Sequence, residues 1–142
     1  MPVRIPVEAI QRLCDPFHSC VWGDFVVTRE MVMDALVHNR FCEEPMSAWT
    51  KEQHCRAKSH AERIAYLAYN GWDDAIQIDV GVPGLNCYVD WPVQDGNHRL
   101  AAAIFRGDYL IKVFVDGDIG YAGQLFGIDV TERDRDYAEA SF

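Results

Sequence analysis

The run Asp95-Gly96-Asn97-His98-Arg99-Leu100-Ala101-Ala102-Ala103-Ile104-Phe105 leaves this chain few ways to fold. Asp-Gly breaks the extended segment before it, and a short helix opens at Asn97. Gly107 stops that helix, and Leu110-Ile111-Lys112-Val113-Phe114-Val115 follows as an apolar strand of the kind buried in a sheet core. Strand, glycine turn, helix and strand in quick succession point to an α/β (α+β) fold with a small mixed sheet surrounded by helices.

The rest of the chain alternates in the same manner. Phe25-Val26-Val27 reads as a short strand, after which Thr28 caps a helix to about Arg40 with Met31, Val32, Ala35 and Leu36 as its apolar stripe. Phe41 to Trp49 reads as a loop. Thr50-Lys51-Glu52-Gln53 and Ser59-His60-Ala61-Glu62 are capping-box signatures, and the second opens a helix that Asn70-Gly71 closes. Ala75 to Val80 alternates like a half-buried strand, Gly81 to Asn86 is a turn, and Cys87 to Val93 is a second strand in which Pro92 marks an edge or bulge. Ile119 to Phe126 forms one more small helix. A single domain is expected over 1–128, followed by a solvated acidic tail over 129–142.

Composition narrows function. The 142 residues are 49% hydrophobic and 25% charged, as in an average globular protein. A net charge of −9 and a pI near 4.8 argue against coating DNA or an anionic membrane, which needs a positive field at the contact. They leave room for a local anion site. No apolar run approaches the ~20 residues of a membrane helix, and the first residues lack the apolar core of a secretory signal, so the cytoplasm is the expected compartment. The five cysteines, without C-x-x-C spacing, suit reduced thiols.

The chemistry concentrates where the helix opens. The first amides of a helix have no partner inside it and sit at the positive end of its dipole, an arrangement that attracts phosphate. Arg99 adds a planar fork of donors, His98 a further donor or proton carrier, and Asn97 a cap or a ligand. The same residues also suit an ordinary turn, an ordinary cap and a surface ion pair.

This segment resembles the signature of the ParB/sulfiredoxin-like superfamily, in its Asp-Gly-x-His-Arg form. The resemblance covers about Ser59 to Asp116 and takes in the helix from His60 to Asn70, Gly71-Trp72 and the strand Ile76 to Val80. It implies a small nucleotide-binding domain whose Gly96, Asn97, His98 and Arg99 surround the phosphates of ATP, ADP or CTP with Mg²⁺, and which hydrolyses the nucleotide or transfers a phosphoryl group. Asp95 and His98 are then the catalytic candidates. Asn97 stands where sulfiredoxins carry their reactive cysteine, which argues against sulfinic-acid repair. Asn97-His98-Arg99 also differs from the Glu-Arg-Arg of segregation proteins. Two alternatives stay open: a non-catalytic plasmid- or phage-type accessory or inhibitor module that binds a protein partner, and a metal-dependent nuclease of the same fold, which the net charge disfavours.

Other features carry weaker expectations. Glu43 and Glu44 are loop carboxylates that could orient a nucleophile or simply be solvated. His54, Arg56, Lys58, His60 and Arg63 form a basic cluster, either a groove or a solvated helix face. Cys14, His18, Cys20, His38 and Cys42 raise zinc, though without the tight spacing of structural sites. Trp49 and Trp91 could stack on a base, but packing is the plainer role for them and for Trp22 and Trp72.

Overall fold

Four strands and six helices form among residues 2–129, which the computed structural model describes. In chain order they are β1 (Val3–Pro6), α1 (Val7–Gln11), α2 (Arg29–Val37), α3 (Lys51–His54), α4 (Ala57–Asn70), β2 (Ile76–Asp79), β3 (Val93–Asp95), α5 (Asn97–Arg106), β4 (Leu110–Asp116) and α6 (Ile119–Phe126). This is the mixed α/β content that the sequence pattern called for. Of the expected acidic tail, all but Asp129 lies outside the described residues.

Contacts within the chain divide it into two compact units. The first comprises the residues up to Cys14, Asp74–Asn97, and the chain from Asp108 onward. It holds the sheet, in the order β1-β4-β2-β3. β4 is central because it alternates strictly: Ile111, Val113 and Val115 are buried. It pairs antiparallel with β1, Val3 opposite Val113, and parallel with β2, Ile78 opposite Val115. β2 pairs antiparallel with β3 through an irregularity at Gln77/Ile78 that sets Asp95 opposite Gln77. α6 is capped by Asp118, whose side chain accepts from the Tyr121 amide at 3.1 Å.

The second unit, Asp15–Asp73 with His98–Gly107, is helical. α2 packs on α4. Thr28 caps α2, accepting from the Met31 amide at 3.2 Å, and Thr50 with Gln53 forms the expected capping box of α3. α4 buries His60, Ala61, Ile64, Ala65 and Leu67 along one face and ends at Gly71, whose φ of +77° suits only glycine without strain. In α5, Leu100 and Ala101 to Ala103 are fully buried.

Three local expectations are corrected. Phe25 to Val27 forms no strand: the segment finds no partner strand and runs irregularly into α2, with Val27 buried. Between Cys87 and Val93 only a single bridge forms, Val82 to Cys87; regular pairing waits until after Pro92, which has no amide to donate, and runs on to Asp95. Ser59 opens nothing, because α4 starts two residues earlier with Arg56 at the cap position. β1 and α1 were not foreseen, since a four-residue strand ending in proline gives no periodic signal.

Candidate functional site

β3 ends at Asp95 and α5 begins at Asn97, so one residue makes the turn from strand to helix. That residue is Gly96, at φ +111°, a backbone state side chains rarely tolerate. Gly96 also stands immediately before the helix, where it brings no side-chain oxygen of its own to the first-turn amides. Asp95 is exposed, and Asn97, His98 and Arg99 are half-buried. The five residues named from the sequence thus form one continuous strand-to-helix segment. Asn97 and His98 fall in different units, and each half has its own surroundings.

On the Asn97 side, Trp91 donates its indole N–H to Asn97 Oδ1 at 2.8 Å. An indole nitrogen can only donate, so this bond fixes the amide: the carbonyl oxygen is used and the Nδ2 hydrogens remain as donors. Trp91 therefore orients the Asn97 amide through its ring edge.

On the His98 side the ring lies in an aromatic cluster. Trp22 stacks on it with centroids 4.7 Å apart and planes 9° from parallel. His60 lies edge to edge with it, the ring centroids 5.0 Å apart and the planes 21° from parallel, and Trp49 meets His60 edge-on at 4.9 Å. His98 Nε2 lies 2.8 Å from His60 Nδ1, and His60 Nε2 lies 2.9 Å from the carbonyl oxygen of His54. Burial, reinforced by His60, Arg63, Arg99 and His54, pushes the His98 pKa down to about 3, and burial likewise lowers that of His60. Both rings are neutral at pH 7. As a neutral imidazole His98 keeps one ring N–H as a donor and one bare nitrogen that can take up a proton.

The remaining candidates disperse. His60 is buried inside the helical unit, 1% exposed, and Arg56 pairs with Glu52. Arg63 donates to the Glu43 carbonyl at 2.8 Å, so the basic cluster forms neither a continuous groove nor one solvated face. Glu43 and Glu44 are exposed and line a cleft of about 590 Å³ with Phe41, Gln53 and Glu62. Trp49 is buried and donates to the Glu44 carbonyl at 3.0 Å. His18 pairs with Asp15 and His38 with Asp34, while burial raises the Cys14 and Cys42 thiols. Among the described residues no three His, Cys, Asp or Glu side chains gather into a metal cage, so the zinc set is not formed. A Mg²⁺ that arrives with phosphates needs only one or two carboxylates, and Asp95 is of the right type. No described helix is long and apolar enough to cross a membrane.

Trp22 and His60 were missed as partners of the site. The signal for His60 was its spacing, since it shares the buried face of α4 with Ile64 and Leu67 at helical intervals. Nothing comparable marked Trp22. Set against models of protein families, curated proteins and solved structures, the chain matches none of them.

Proposed function

We propose that this chain is a nucleotide-binding domain of the ParB/sulfiredoxin-like kind that hydrolyses the nucleotide or transfers a phosphoryl group at the start of α5. The observation that carries this reading is Gly96 at φ +111°, set between a strand ending in Asp95 and a ten-residue helix with Arg99 in its first turn. Phosphoryl transfer is mainly positioning and charge neutralisation. The first amides of α5, the Nδ2 donors of Asn97 and the Arg99 guanidinium hold phosphate oxygens, and Asp95 orients the nucleophile. Mg²⁺, when bound, would neutralise charge on the transferring group.

Calorimetric titration with ATP, ADP and CTP in the presence of Mg²⁺, alongside phosphate release, tests the proposal. Arg99→Ala is expected to lose about 1.5–3 kcal/mol of affinity, roughly 10- to 150-fold in Kd. Asp95→Asn is expected to keep Kd and lower kcat. Unchanged affinity in Arg99→Ala sinks the assignment.

One observation favours a second reading, the partner-binding module. Leu85 and Tyr88, 74% and 71% exposed, lie three residues apart in the segment between β2 and β3. An absence of both binding and turnover with every nucleotide supports it.

A further inference from the structure

The two hydrogen bonds of His60 fix the protonation of both rings. His60 Nε2 faces a carbonyl oxygen, which can only accept, so Nε2 carries the hydrogen. A neutral imidazole protonated there has a bare Nδ1. His98 Nε2, 2.8 Å from that bare nitrogen, must then be the donor. His98 is left with an unprotonated Nδ1, and no other hydrogen bond engages its ring among the described residues. Trp22 stacked on both rings and Trp49 packed against both keep the pair in register.

We infer that His60 is a positioning residue that locks His98 as its Nε2–H tautomer and so presents an acceptor nitrogen at the start of α5, a partner for a hydroxyl. An ionised phosphate oxygen is itself an acceptor and gains nothing from a bare nitrogen, which leaves the phosphates to Arg99, the Asn97 amide and the backbone. The inference rests on the proposed nucleotide site for its ligand but not for the lock itself. The groups facing His98 are His54, His60 and Arg63 from the chain before β2, and Arg99 on its own helix. The hydroxyl is that of the ribose or of the attacking water.

Nitrogen-15 spectra of the full chain without ligand decide the lock. A pyrrole-like Nε2 and pyridine-like Nδ1 on His98 support it, and the reverse overturns it. His60→Leu removes the acceptor and is expected to release the tautomer, whereas His60→Asn restores an acceptor oxygen near the Nδ1 position and keeps it. If His60→Leu does not fold, the wild-type and His60→Asn spectra still decide. With Mg²⁺ and ATP, His60→Leu is expected to lose roughly 3- to 10-fold in rate or affinity and His60→Asn to recover most of it. A ribose contact shows as weaker binding of 2′,3′-dideoxy-ATP by the wild type, and a contact to water as a lower kcat at unchanged Kd. A tautomer that switches with no change in either constant overturns the acceptor role. A wild type that holds the tautomer but binds no nucleotide overturns the function proposed above and leaves the lock standing.

Discussion

The sheet unit and the helical unit solve the problem of a small core differently. In the sheet unit β4 sits between β1 and β2, and its alternation fills the centre with Ile111, Val113 and Val115 against Ile5, Ile76 and Ile78. In the helical unit the apolar face of α4 is interrupted by a fully buried histidine, satisfied at one nitrogen by a carbonyl and at the other by a second histidine. Apolar burial is indifferent to pH. A pair of neutral imidazoles is not, and the difference shows that the polar interior belongs to the unit holding His98.

The contrast can be broken in measurable ways. Ile78→Ala strikes the sheet and is expected to cost about 2–5 kcal/mol, read as a drop in urea midpoint of similar size at neutral and mildly acidic pH. Acid should strike the helical unit. The His98 pKa is about 3 in the folded chain against 6.5 when exposed, so the unfolded chain binds more protons between those values. Stability is then fully present above about pH 6.5 and falls as the pH drops towards 3. Between about pH 7.5 and 5 the expected loss is on the order of 1–2 kcal/mol, followed in tryptophan fluorescence, and His98→Asn should flatten it. A wild type as stable at pH 5 as at 7.5 would remove the distinction between the units. The smallest effects sharpen the picture inside the helical unit: Thr28→Ala, which removes the cap of α2, is expected to cost about 1 kcal/mol. Arg56→Ala, which frees an exposed pair with Glu52, should stay below about 0.5 kcal/mol, and calorimetric Tm values rank the two.

What was legible in the sequence was local. Thr28, Thr50, Gly71 and Gly107 announced helix ends because caps and positive φ act over a few residues, and β4 announced itself by alternation. The segment Asp95 to Arg99 was legible for the same reason. Its surroundings were not. His60 meets His98 across 38 residues, and Trp22 comes from an irregular stretch whose placement no periodicity encodes. His60, between Lys58 and Arg63, reads as part of a basic run, and only its i, i+4, i+7 spacing with Ile64 and Leu67 sets it on the buried face of α4. Trp91 likewise gave no hint of Asn97, since a hydrogen bond from a loop indole leaves no pattern in composition.

The pairing of β1 with β4 has a consequence for the order of assembly. Val3 waits for Val113, a closure of about 110 residues, while β2 is joined to β4 over a much shorter span. β1 is made well before β4, and the edge of β4 that it covers stands open until the two meet. A closure this long makes docking of β1 a slow step in folding, and the interval before it the period of greatest exposure to self-association.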